Sequence, residues 1–244
     1  MKKSVITTEK LINNIYKCLL QAYGPQGWWP LKSNVFRTGY DSDGYHKGDY
    51  SLALKPVQRY EIVLGAILTQ NTSWNNVGKV LDILIANKYL DPKTIINCKL
   101  PKLANMIRTS GYYNQKARKL KHVSQLFFNH KWLKNGTVPS RTLLLATWGI
   151  GPETADSILL YAFGQPEFVI DAYTKRLLLR FKLIKQDYNY NIIQDLFYSS
   201  LARDYKIFNE YHALIVKHAK VHCRKAPLCQ DCPLMDLCVY SNKK

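Results

Sequence analysis

Three groups of residues in this chain have the types and spacing for chemistry. The first is Cys223, Cys229, Cys232 and Cys238, four thiols separated by five, two and five residues near the C-terminal end. Thiols at this density ligate metal, and four of them suit either Zn²⁺ or an iron–sulfur cluster; the spacing alone leaves both open. The second is the pair Gly149 and Gly151 around Ile150, in TWGIGPETA. Glycine permits positive φ and leaves backbone N–H groups uncovered, so these two, at the start of a helix, can hold a phosphate. A plain helix–helix turn is the other reading of so short a motif. The third is an acid, Asp171, in the loop that follows the next apolar helix. A carboxylate there can stabilise developing positive charge or activate a water.

The chain that must position these groups has 244 residues, enough for one large domain or two small lobes with a real core. Lys and Arg number 35 against 17 Asp and Glu, a net charge of +18. That excess predicts salt-sensitive attraction to a polyanion, most simply nucleic acid. No stretch approaches the roughly 20 apolar residues of a membrane span. The opening MKKSVITTEKLINN lacks the apolar core of a leader, so a cytoplasmic protein without a membrane partner is expected. Disulfides are uncommon there, which favours metal ligation for the cysteine cluster. Cys18 and Cys98 stand alone and read as buried thiols.

The hydrophobic spacing is helical almost throughout. Thr7 to Ala22 forms one helix, stopped by Gly24-Pro25. Leu31 to Pro56 is polar, rich in Gly, Asp and Tyr, and reads as an excursion loop. Helices follow from Pro56 to Leu68, after Asp91-Pro92, after Leu100-Pro101 and from Asn114 to Asn129. Lys116, Arg118, Lys119 and Lys121 ride on the start of the last of these, as a DNA-facing or simply solvated face. Ser140 caps a short helix over Arg141 to Thr147, and the glycine turn leads into another over Thr154 to Phe163. There Ala155, Ile158, Leu159, Ala162 and Phe163 make a core stripe. Phe168-Val169-Ile170 is a buried link, and Tyr205 to His222 is a helix running into the cysteines. With so little alternation the class is all-α.

The pattern L-x-x-x-G-I-G-x-x-T-A, followed by a helix and V-I-D, resembles the helix-hairpin-helix DNA glycosylases of the endonuclease III superfamily. The resemblance implies a two-lobed fold with DNA in the cleft between the lobes. One lobe would span 57–168 and the other would join 1–56 to 169–244. It also implies scission of an N-glycosidic bond on a flipped-out base, with Asp171 as the catalytic carboxylate that stabilises an oxocarbenium-like sugar or activates a water. Gly149, Ile150, Gly151 and Thr154 would grip the DNA backbone. Bifunctional members place a lysine two residues after the second hairpin glycine, to attack the sugar as an amine. Here that residue is Glu153, which cannot form a Schiff base, so a monofunctional enzyme is expected. The cysteine run resembles the [4Fe–4S] loop over 223–238 that ends endonuclease III, with one residue fewer in its first gap; zinc is the alternative.

A second stretch, LGAILTQNTSW, resembles the family's helix end whose glutamine enters the base stack, which makes Gln70 a DNA-binding residue. Its Q-N-T-x-W form, together with GWWP at 27–30, SGYYNQKA at 110–117 and Glu153, resembles the 3-methyladenine DNA glycosylases of this superfamily. Trp28 and Trp29 become base-pocket candidates beside Glu153. Purines alkylated at ring nitrogens are cationic and attract electron-rich indole faces. Lys116 and Arg118 join the DNA-binding set. The expected function is base excision on double-stranded DNA by a monomer that removes alkylated purines such as 3-methyladenine. The alternatives are an endonuclease III-like glycosylase and lyase on oxidised pyrimidines or mismatched bases, and a non-catalytic iron–sulfur DNA-binding protein.

Overall fold

The computed structural model describes residues 7–50 and 54–241. The lysine-rich opening 1–6, positions 51–53 of the polar excursion and the end at 242–244 lie outside the described residues. Among the described residues every regular element is helical, as the spacing predicts. None of the helices is long and apolar enough to cross a membrane.

The chain forms two compact units, Met1–Trp28 with Pro166–Lys244, and Trp29–Gln165. The first is built from α1 (Thr8–Tyr23), α10 (Ala172–Arg180), α11 (Tyr190–Ser200) and α12 (Tyr205–Val221), in the numbering of all the helices along the chain. Its core is aromatic. Phe168, in the buried link, stacks on Phe197 with ring centroids 3.7 Å apart and meets Phe208 and Tyr211 edge-on. Ile12, Ile15 and Leu19 line the buried face of α1, and the Tyr211 hydroxyl donates to the Ile12 carbonyl at 2.8 Å. Thr7 caps α1, its Oγ1 accepting from the Lys10 N–H at 3.3 Å.

The second unit surrounds α2 (Pro56–Leu68), an almost fully buried helix opened by Pro56, as its single proline and apolar run dictate. Around it stand α3 (Trp74–Ala86), α4 (Pro92–Asn97), α5 (Leu100–Met106), α6 (Tyr113–His130), α7 (Trp132–Asn135), α8 (Arg141–Ala146) and α9 (Pro152–Ser157). The predicted helix 154–163 is not uniform: beyond Ser157 it continues as a π turn over Ile158–Ala162. Its predicted apolar stripe is nevertheless buried at every position.

The described residues of the polar excursion, 31–50 and 54–56, belong to this second unit and not with the N-terminal helix. The first unit boundary falls at Trp28/Trp29 and not near residue 56. The physical reason is local. Leu31 is fully buried, and the buried Glu61 of α2 accepts from Lys32 N at 2.6 Å and Ser33 N at 3.3 Å. Leu31 N also donates to Gly44 O, an approach so close that a Cβ on Gly44 would lie 2.3 Å from the Leu31 carbonyl oxygen. Of the two lone thiols, Cys98 is buried as expected and Cys18 is only partly covered.

Candidate functional site

The glycine turn joins α8 to α9. Ser140 caps α8, and Arg141 clamps the two helices together through a two-pronged pair with the fully buried Asp156, Nε to Oδ1 at 2.7 Å and Nη2 to Oδ2 at 3.1 Å. Ile150 is buried between the glycines, as the sequence suggests. Gly149 has φ +90°, and a Cβ there would meet the Lys119 side chain at 2.4 Å, so two independent constraints require glycine. Gly151 has ordinary backbone and open space around its Cα. Trp148 is 50% exposed, edge-on to His122.

Gln70 lies in the turn that ends α2. Its amide nitrogen donates to Gly149 O and Thr154 Oγ1, both at 3.0 Å, and its carbonyl accepts from Lys119 Nζ at 2.6 Å. Three stretches that the sequence singled out separately are thus tied into one surface: the α2 terminus, the hairpin and α6. Lys119 stands in the sequence among four basic residues of one helix start, and nothing in its own spacing distinguishes it from its neighbours as the one that meets Gln70.

Lys116 requires a correction. It is 2% exposed and its Nζ donates to Leu68 O at 2.8 Å and Ser110 O at 2.7 Å. Its ammonium caps carbonyls at the end of α2 and the turn before α6, so it is a structural tie and not a DNA-facing cation. Burial, with Lys119 nearby, pushes its pKa down to about 8. Arg118 is exposed on the same helix. The turn that Lys116 ties carries Tyr112 at φ +45° and 69% exposed, an aromatic ring held out to solvent on left-handed backbone. Glu153 sits exposed in the first turn of α9, next to the buried Thr154.

In the first unit, Asp171 caps α10, with Oδ1 accepting from Thr174 N at 2.7 Å. Its Oδ2 lies 3.6 Å from His212 Nε2 on α12. Burial opposes its ionisation, but His212 and the Thr174 donors outweigh burial and hold the carboxyl below its usual range. The structure separates the two tryptophans. Trp29 is packed in the second unit against Trp74, Tyr161 and Gly65. Trp28 belongs to the first unit, is half-buried, and faces the His212 ring edge-on at 5.7 Å. His212 was not legible in the sequence, where it is one of several histidines in the last helix.

The cysteine loop is fastened to α10. Arg180 donates to Cys223 Sγ at 2.9 Å and to the carbonyls of Arg224 and Lys225, while Arg176 donates to Cys223 O at 2.8 Å. All four thiols are free. Burial raises the Cys232 thiol pKa, the Leu234 N–H opposes this, and Cys223, Cys229 and Cys238 each add to the rise, so the four sulfurs share one electrostatic neighbourhood. This donor set has the chemistry of a thiolate-ligated centre. Among the described residues, no three His, Cys, Asp or Glu side chains converge as a ready-made site for a metal ion.

A helix-hairpin-helix clamped at its glycine turn, followed by an ionised acid capping the next long helix, defines a class of DNA base excision proteins. The chain belongs to it: the HhH-GPD superfamily of base excision DNA repair proteins matches residues 64–201, and the chain is a DNA N-glycosylase of that superfamily. It is 39% identical to the Methanocaldococcus jannaschii protein named "Putative DNA repair glycosylase MJ1434", over 94% of this chain and 96% of that one. Its fold overlays an endonuclease III–DNA complex with TM-score 0.76 at 21% identity, covering 97% of this chain and 98% of that one. It also overlays the H. pylori 3-methyladenine DNA glycosylase bound to 1,N6-ethenoadenine, with TM-score 0.64 at 26% identity over 87% and 97%.

Proposed function

We propose that this glycosylase is monofunctional and releases alkylated purines, such as 3-methyladenine, from double-stranded DNA, acting as a monomer. The observation that carries the reading is an Asp171 carboxyl held below its usual pKa range, in a chain that has Glu153 where an attacking amine would be needed. A carboxylate below its usual pKa range is a weak base and a durable anion. It suits stabilisation of the cationic sugar as the bond to the base breaks, with water completing the hydrolysis. The alkylated ring is already a good leaving group, so strong acid catalysis is not required. Trp28, half-buried beside His212, is the favoured indole face for such a cation, and Trp29, packed against Trp74 and Tyr161, supports the pocket from behind in this reading. The likeness to the H. pylori 3-methyladenine enzyme supports the same substrate class.

On the DNA side, Gly149, Ile150, Gly151 and Thr154 hold one phosphate sequence-blindly, and Gln70 fills the space left by the flipped nucleotide. Arg118 and Lys119 add phosphate contacts, and Tyr112 adds a stacking face. Cys223, Cys229, Cys232 and Cys238 would hold a [4Fe–4S] cluster, with zinc the alternative donor-compatible metal; when bound, either supplies a cross-link that fixes the basic loop.

The second reading, an endonuclease III-like glycosylase and lyase on oxidised pyrimidines or mismatches, is supported by the higher structural overlap with endonuclease III. A panel of duplexes decides between them. Release of methylated purines, with thymine glycol and mismatched duplexes left intact, is expected. Preferential release of an oxidised pyrimidine would replace this reading with the second. Iron and sulfide analysis of the purified protein, expected at about four of each per chain, tests the cluster against zinc.

A further inference from the structure

The segment that carries Trp28 turns on two glycines. Gly24 and Gly27 both adopt positive φ, at 65° and 69°, with Pro25 and Gln26 between them. Its course is set from one short stretch of α12. The Glu210 carboxylate accepts from Gln26 N at 2.8 Å. Asn209 Nδ2 donates to Trp28 O at 2.8 Å. His212, one turn on from Asn209, sets its ring edge-on to the Trp28 indole and its Nε2 3.6 Å from Asp171 Oδ2. All three α12 residues are at least nine-tenths buried. One imidazole therefore touches both the tryptophan read as the base platform and the acid read as the anion. These two groups are otherwise carried by segments more than 140 residues apart in the chain.

We propose that His212 is a positioning residue that couples the two halves of the reaction: its ring fixes the plane of Trp28, and its Nε2 fixes the Asp171 carboxylate. Asn209 and Glu210 deliver Trp28 to it. The inference rests on the glycosylase reading above, and it assigns separate consequences to the two faces of one side chain. Anion and sugar must be held in near-attack geometry, where a displacement of about 1 Å costs on the order of 100-fold in rate. Base seating on Trp28 acts through substrate binding.

Two variants separate these roles. His212→Phe keeps an aromatic edge against Trp28 and removes the nitrogen from Asp171. His212→Gln keeps a nitrogen donor and removes the ring. On duplexes containing 3-methyladenine, His212→Phe is expected to lower kcat by about 30- to 100-fold with KM near wild type. His212→Gln is expected to keep kcat within about fivefold and to raise KM by about tenfold. Glu210→Ala should also raise KM, and Glu210→Gln, whose carbonyl still accepts the Gln26 N–H, should rescue it. The proposal is overturned if His212→Phe releases base at the wild-type kcat, or if both His212 variants lose the same parameter to the same extent. Wild type and Asp171→Asn run alongside. A wild type that frees no alkylated purine defeats the glycosylase reading itself. An active wild type with an inactive Asp171→Asn and an unaffected His212→Phe defeats only this inference. Melting temperatures identify a variant that does not fold, and the other His212 variant then decides by its own kcat and KM.

Discussion

The side-chain amide of Gln70 donates to the backbone carbonyl of Gly149 at 3.0 Å, joining the end of α2 to the glycine turn of the hairpin. The same amide donates to Thr154 Oγ1, and its oxygen accepts a hydrogen bond from Lys119 Nζ. In the free protein the residue proposed to enter the base stack is thus already held beside the glycine turn proposed to bind phosphate. Filling the DNA hole requires exchanging these bonds for bonds to the orphan base. Gln70→Ala should therefore weaken binding to a duplex with an abasic-site analogue by about tenfold, the scale of one or two net hydrogen bonds. It should weaken binding to undamaged duplex far less. Fluorescence anisotropy on the two duplexes checks this, and equal losses on both would show that Gln70 acts only through the hairpin.

The two hairpin glycines are not equivalent. Gly149→Ala meets both the positive φ and the Lys119 side chain, so it should destabilise the protein by about 1–3 kcal/mol. Gly151→Ala has ordinary φ and free space, and should leave the melting temperature within about 1–2 °C of wild type. Any larger effect of Gly151→Ala should appear in DNA affinity alone. Thermal denaturation of the two variants side by side makes the comparison.

Lys116 and Arg118 are two residues apart and should behave oppositely. Lys116→Met removes a buried tie to Leu68 O and Ser110 O, so it should lower stability and leave the salt dependence of DNA binding unchanged. Arg118→Ala should leave stability unchanged and reduce the slope of log K against log salt by about one phosphate contact. Titrations at four or five salt concentrations separate the two behaviours.

Glu210 provides a pH test. Burial raises its carboxyl to about 7, against opposition from the Gln26 and Gly27 N–H groups. A raised folded pKa means that the native state holds a proton the unfolded state has lost. The contribution to stability is full below about pH 4.5 and is lost as pH climbs through about 7. The stability of wild type relative to Glu210→Gln should therefore decline from pH 5 to pH 8 by about 2–3 kcal/mol. Parallel urea melts at the two pH values check the sign, and a relative gain for wild type with rising pH would contradict it.

Much of this was legible before any fold was available. Helix positions followed from apolar spacing and from punctuation by Pro and Gly: the first helix runs Thr8–Tyr23, and α2 runs Pro56–Leu68. The hairpin, its buried Ile150 and the capping Ser140 were likewise written in local residue types. Side-chain partnerships across the fold were not. A run of lysines looks alike in sequence whether the members face solvent or, like Lys116, reach back to a carbonyl 48 residues away. The adjacent tryptophans had equal claims until the chain divided between them. His212 was invisible because its meaning comes from Asp171, on another helix. The polar excursion looked like a free loop because Glu61, which anchors it, lies in an apolar run.

The measurement that bears most directly on the central claim is base release from alkylated duplex DNA by wild type and Asp171→Asn, with strand breakage scored before and after alkali. The account predicts that wild type frees 3-methyladenine, that breaks appear only after alkali, and that Asp171→Asn retains DNA binding while losing at least about 100-fold in release. Breaks before alkali would mean that an amine attacks the sugar despite Glu153. Undiminished release by Asp171→Asn would contradict the assignment of Asp171 as the catalytic anion.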